Sequence, residues 1–186
     1  MSWAAADRLA RIAARLNIGG REQYWRDHAT RMGQQIRQSA WSPALNSLTT
    51  AFHGDSVDAS LLLLPELGVL DWHDPMYVNT VQRIGTVLRR GPFLTRYAEP
   101  DDFGVPQVAF SVCSFWYISA LWATGAREQA RALFEEMLRR RNSLGLMSED
   151  LAPASGEMWG NYPQSYSMVG IVNCAMRLSR SWEDAL

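Results

Sequence analysis

Residues 144–167 read Leu-Gly-Leu-Met-Ser-Glu-Asp-Leu-Ala-Pro-Ala-Ser-Gly-Glu-Met-Trp-Gly-Asn-Tyr-Pro-Gln-Ser-Tyr-Ser, and they lie between two strongly helical segments. The run holds three glycines and two prolines, far more chain than the ~2–8 residues that usually join two helices. Long ordered loops on a rigid scaffold are where binding and catalysis concentrate. The carboxylate near its start, Glu149, is therefore the first candidate for chemistry.

Working outward, the flanking segments are helical by period. Ala130, Leu133, Phe134 and Met137 line one face of a helix over 126–141, with Glu128, Glu135 and Arg139 on the other. Residues 163–180 form a last, mostly apolar helix that Pro163 would start. Upstream, "VAFSVCSFWYISALWAT" (108–124) is apolar on every face, so it should be buried all round. It is too short and too serine-rich for a membrane span. Gly125 separates this buried helix from the half-exposed one after it, which suggests inner helices wrapped by outer ones. Leu9, Ile12, Ala13 and Leu16 mark a first helix that ends at Asn17-Ile18-Gly19-Gly20. A second spans 21–38, with Tyr24, Trp25, Ala29, Met32 and Ile36 on one stripe. Residues 40–56 read as a long loop. A short helix follows over 57–64, capped by Asp55 or Ser56 and closed by Pro65. Asp74-Pro75 starts another helix that runs to about Arg89 and stops at Gly91-Pro92. The expectation is all-α: about seven helices and no sheet, joined alternately by tight turns and long polar loops.

Composition narrows the partners. The chain has 186 residues and a formal charge of −1, enough for one domain with a real core. Near-neutral charge argues against nucleic acid or an acidic membrane surface. Cys113 and Cys174 are far apart and read as free thiols of a reducing, cytoplasmic compartment, and no leader pattern follows Met1. His28, His53 and His73 lack metal-ligand spacing, so neither metal nor cofactor is expected.

Four blocks in order, "DRLARIAARL", "DASLLLLPELGVL", "RYAEPDDFG…AFSVCSFWYISAL" and "RNSLGLMSEDLAPASGEMWGNYPQSYSMVGIVNCAMRL", resemble glycoside hydrolase family 15, the family of glucoamylases, glucodextranases and bacterial trehalases. The resemblance covers nearly the whole chain. It implies a double-layered (α/α)6 barrel and hydrolysis of α-glucosidic bonds with inversion. Glu149 falls on the family's general base. Arg96, at the "RY" step, falls on a glucose-recognition position. Glu99 and Asp102 in the same loop would bond sugar hydroxyls, and Phe110 and Trp116 would supply aromatic walls. Asp58 is expected to cap or bond structurally.

The chain resembles roughly the last seven of the twelve helices in such an enzyme. The family's general acid and a substrate-holding Arg-Asp pair belong to the part that precedes "SWAAADRLARIAARL". The expectation for 1–186 is thus a partial catalytic domain, inactive alone, whose complete form takes an α-glucosidic oligosaccharide or disaccharide. Cut helix faces would favour a homo-oligomer through exposed apolar surface. The alternative is a non-catalytic, self-associating helical module from a truncated reading frame. A sugar epimerase on the same ring would use histidine acid–base chemistry, and the histidines here lie outside the matching loops.

Overall fold

The structure, a computed structural model, describes residues 1–102 and 104–179. Helices α1 (Ser2–Arg15) and α2 (Arg21–Ser39) form an antiparallel hairpin, followed by the two-residue ladder β1 (Trp41–Ser42) and β2 (Ser47–Leu48). A 3-10 turn (Ala59–Leu63) runs into α3 (Leu64–Leu67), and α4 spans Pro75–Val87. A second small ladder, β3 (Arg89–Arg90) and β4 (Phe93–Leu94), precedes β5 (Ala109–Phe110) and α5 (Ser111–Ala123). Then come α6 (Arg127–Arg139), β6 (Asp150–Leu151), β7 (Met158–Trp159) and α7 (Ser165–Leu178). The hairpins make up the C-terminal half of a double-layered (α/α)6 barrel.

Helix α5 is the centre of the arc. Ten of its residues are buried, from Ser111 through Leu121 with only Trp116 part-exposed. Gly125, at φ 96°, reverses the chain, and the N–H of Ala126 closes the turn on the Leu121 carbonyl at 2.8 Å. That left-handed conformation is readily adopted by glycine alone. The reversal lays α6 against α5 with Ala130 and Met137 fully buried. On the other flank, α7 packs close to α5 because Gly170 has no side chain. A Cβ there would lie 2.4 Å from Cδ2 of the buried Phe115.

Several sequence expectations change in detail. The 57–64 segment is a 3-10 turn from Ala59, not an α-helix. Its cap is Asp58, which accepts from the Ser60 N–H at 2.7 Å. Pro65 lies inside α3, where its missing N–H costs nothing in a first turn. Asp74 caps α4 as its sequence suggests, accepting from the Met76 N–H at 2.9 Å. Helix α7 begins at Ser165, two residues past Pro163, and ends at Leu178, where Ser179 turns extended; Arg180, the expected end, lies outside the described residues. The long "loops" carry short antiparallel ladders, too brief for any alternation to show in sequence.

The α1–α2 hairpin is held apart from this core. Its contact face is small: Ala4, Ala6, Ala10 and Ala13 of α1 are buried, with Ala29 of α2. It docks through Arg8, which donates to the Leu67 carbonyl at 2.6 Å, and through the Arg37–Asp74 ion pair at 2.7 Å. The large residues whose spacing marks α1, Leu9, Ile12 and Leu16, are 39%, 50% and 64% exposed. On α7, Val169, Val172 and Met176 are uncovered in the same way. Among the described residues, no helix is long and apolar enough to cross a membrane.

A Cβ at 2.4 Å forces the Phe115 ring or α7 to shift, so Gly170→Ala should cost about 1–3 kcal/mol. The expected readout is a lower urea midpoint with an unchanged slope.

Candidate active site

The run 144–167 is not slack connection; it threads a strand into place. Asn142 organises its entry, its side-chain oxygen accepting from the N–H groups of Leu144 (2.9 Å) and Leu146 (2.8 Å). The chain then forms β6, turns at Gly156 (φ 73°), and returns as β7. β6 is the middle of a three-stranded antiparallel sheet in the order β5-β6-β7, with Phe110 opposite Asp150 and Asp150 opposite Trp159.

Glu149 sits at the entry to that middle strand. Its N–H donates to the Asn161 carbonyl (2.9 Å), and its carbonyl accepts from the Ser111 N–H (2.9 Å) at the start of α5. Met147 and Leu151 on either side are fully buried. Each contributes about 1.5–3 kcal/mol by burial, which anchors the backbone beneath the carboxylate. The Glu149 backbone is therefore fixed from both directions.

The carboxylate is held as well. Oε2 accepts from both the N–H (3.1 Å) and the Nδ2 (2.7 Å) of Asn161, and Oε1 accepts from the Tyr166 hydroxyl (2.5 Å). These donors keep its pKa below the ordinary glutamate value, the Tyr166 bond contributing most and partial burial opposing it. Burial and the bond to Glu149 push the Tyr166 phenol up, so it stays a donor. The Tyr166 ring stands edge-on to Phe110, centroids 5.6 Å apart at 90°.

Glu149 opens on a cleft of about 250 Å³ lined by Arg96, Tyr97, Pro106, Val108, Phe110 and Asp150. The lining mixes aromatic and apolar side chains with charged ones, an amphiphilic set that suits a sugar ring. Arg96 is half-exposed and pairs with Asp58 at 3.4 Å. Asp150 turns into the same cleft, although adjacent side chains on an extended segment usually diverge. Its side chain makes no hydrogen bond or ion pair among the described residues. Burial, then the Glu149 charge, pushes its carboxyl up from 3.8 to about 6. Gly160, at φ 77°, makes the arrangement possible. A Cβ there would lie 2.9 Å from Glu149 Oε2 and 3.1 Å from Asp150 Oδ2.

Of the residues singled out in the sequence, Glu149, Arg96 and Phe110 meet in this cleft. Glu99 and Asp102 do not. Both are exposed beside the Asp101–Gly104 bridge, and Glu99 accepts from the neighbouring Ala98 N–H at 3.3 Å. Trp116 faces a second cavity of about 210 Å³ between α5 and α7, with Phe115, Val169 and Cys174. At 3.6 residues per turn it lies well past Phe110 around the helix. Asn161, Tyr166, Tyr97 and Asp150 are site residues that the sequence reading passed over. Asn161 and Tyr166 stand inside the "NYPQSY" segment, which was read only as a family signature. Among the described residues, no group of three or more His, Cys, Asp or Glu is placed to hold a metal.

The fold is shared with solved glycosidases. A wild-type glycosidase superposes with a TM-score of 0.76 at 18% identity, over 93% of this chain and 48% of that one. A glutamate-to-alanine glycosidase variant in complex with glucose gives 0.77 at 16%, over 95% and 49%. The sequence goes further: residues 1–176 match the family model for glycosyl hydrolases family 15, and the chain belongs to that family. It is 32% identical over 183 residues to a trehalase of Thermoplasma acidophilum, covering 98% of this chain and 32% of that protein. It is also 32% identical to a trehalase of Mycobacterium tuberculosis, covering 100% and 28%. The chain thus spans about a third of the length of the curated relatives it matches.

The raised Asp150 carboxyl has a measurable sign. Between the ordinary aspartate value and about pH 6, the folded chain keeps a proton that the unfolded chain has released. Stability falls as pH rises through that window. Asp150→Asn removes this loss, so its Tm advantage over the parent should grow from about pH 4 to about pH 7. A difference that does not change with pH would contradict the assignment.

Proposed function

We propose that this chain carries the general-base side of an inverting hydrolase acting on α-glucosidic bonds, with a trehalose-type disaccharide as the substrate class. The supporting observation is Glu149: an ionised carboxylate, fixed by three donors, opening on an amphiphilic cleft. Inversion needs a base that takes a proton from a water on one face of the sugar and an acid that protonates the leaving oxygen on the other. Asp150 does not supply that acid. Glu149 Oε2 and Asp150 Oδ2 lie near one point on the same wall, at most about 6 Å apart, short of the ~6.5–9.5 Å that spans a sugar and a water. The reading assigns the acid to a further part of the ring. Arg96 donates to sugar hydroxyls, and Phe110 and Tyr97 cover an apolar sugar face. The trehalases among the relatives favour the disaccharide over a longer glucan.

Accordingly, the purified chain should not turn over trehalose or maltose. Completing the ring with the acid-bearing segment of a family 15 trehalase should restore trehalose hydrolysis, with β-glucose among the first products by proton NMR. Glu149→Gln should then lower kcat by ~10²–10⁴. Turnover by the chain alone, or an unaffected Glu149→Gln variant, removes this reading.

A second reading rests on the uncovered stripes of α1 (Leu9, Ile12, Leu16) and α7 (Val169, Val172, Met176). As a self-associating module, the chain would bury them against another copy. Light scattering at micromolar concentration should then show a dimer or larger. Val172→Glu with Met176→Glu should shift it to monomer. A parent chain that is monomeric under those conditions excludes the module.

A further inference from the structure

We propose that Oε1 of Glu149 is the oxygen that takes the proton, and that Tyr166 is the positioning residue that aims it into the cleft. The inference rests on the base reading above and deepens it.

A carboxylate offers about four lone-pair directions, two on each oxygen. Oε2 spends both on Asn161, through its backbone N–H and its side-chain amide. Oε1 spends one on the Tyr166 hydroxyl. One direction remains, and it belongs to Oε1. A water in the cleft can reach this carboxylate productively only there.

The hydroxyl that sets this direction is itself immobilised. Phe110 stands edge-on against the Tyr166 ring. The start of α7 is laced to the segment beneath the base. The Gln164 N–H donates to the Met147 carbonyl at 2.9 Å, and the Ser167 hydroxyl donates to the Ser148 carbonyl at 2.8 Å. Ser148 and Ser167 are both fully buried. Tyr166 therefore cannot follow Glu149 if the carboxylate rotates, and the bond holds one rotamer. The groups facing Glu149 are Asp150 from its own strand, Arg96 and Tyr97 across the cleft, Asn161 from the turn and Tyr166 from α7.

In the reaction, an O–H bond of the water breaks as Oε1–H forms. A lone pair of the water oxygen makes the new bond to the anomeric carbon. The glycosidic C–O bond breaks, and its electron pair leaves on the aglycone oxygen, which is protonated by the general acid of the completed ring. Tyr166 donates throughout and loses no proton. Its bond favours the ionised carboxylate and weakens once Oε1 is protonated, so it sets how readily the base accepts.

The test is a carbon-13 carboxyl titration of the folded chain, with the Glu149 resonance assigned from Glu149→Gln. Tyr166→Phe keeps the ring against Phe110 and removes only the donor. Glu149 should then bind its proton about tenfold more tightly, moving its midpoint up by about one pH unit. Near-ultraviolet circular dichroism should stay unchanged. Site-specific 3-fluorotyrosine at 166, a stronger donor of nearly the same shape, should move the midpoint down, and it tests the bond even if the phenylalanine variant fails to fold. A midpoint that ignores both changes overturns the role of Tyr166. In the completed ring, Tyr166→Phe should shift the acid limb of kcat/KM by the same amount and lower kcat at constant KM. A moved midpoint with an unmoved acid limb overturns the proposal through Glu149, because the proton then goes elsewhere.

Discussion

A single backbone hydrogen bond, from the Ser111 N–H to the Glu149 carbonyl at 2.9 Å, joins the most buried helix to the carboxylate strand. It lies where β5 passes directly into α5, so the strand that pairs with β6 is continuous with the core. It adds to the β5–β6 pairing and to the burial of Met147 and Leu151 in tying 144–167 to the core. With it, the position of Glu149 is set by how α5 packs, and α5 is fixed by α6 on one side and α7 on the other.

The three elements around the base solve different problems. β6 fixes the backbone, with Met147 and Leu151 as apolar anchors below. Asn161 saturates one carboxylate oxygen and Tyr166 orients the other. Gly160 keeps the floor between Glu149 and Asp150 free of a side chain. The two adjacent carboxyls shift in opposite directions because their surroundings differ. Glu149 has donors and stays ionised. Asp150 has none, and retains its proton to about pH 6.

Helix positions were legible where apolar residues recur with the helical period. The all-round apolarity of 108–124 marks α5 as a helix buried on every face. The ladders were not legible, since two-residue strands carry no alternation and their partners are distant in sequence. Glu149 stood out through the resemblance, not through its local pattern, which is that of a solvated loop acid. Tyr166 and Asn161 were invisible as partners because their roles depend on where α7 begins, and that is fixed by the Gln164–Met147 bond. Leu9, Ile12 and Leu16 look like core residues in sequence. The structure instead buries Ala6, Ala10 and Ala13 of α1 and lays Trp3 against Gly33 of α2.

Helix α7 carries two things on one rigid rod. Its first turn bears the hydroxyl that holds the base, and the next turns bear Val169, Val172 and Met176, which face outward. The rod's two ends are thus divided between the base and the outer surface, and the Gln164–Met147 and Ser167–Ser148 bonds clamp the end that carries the hydroxyl.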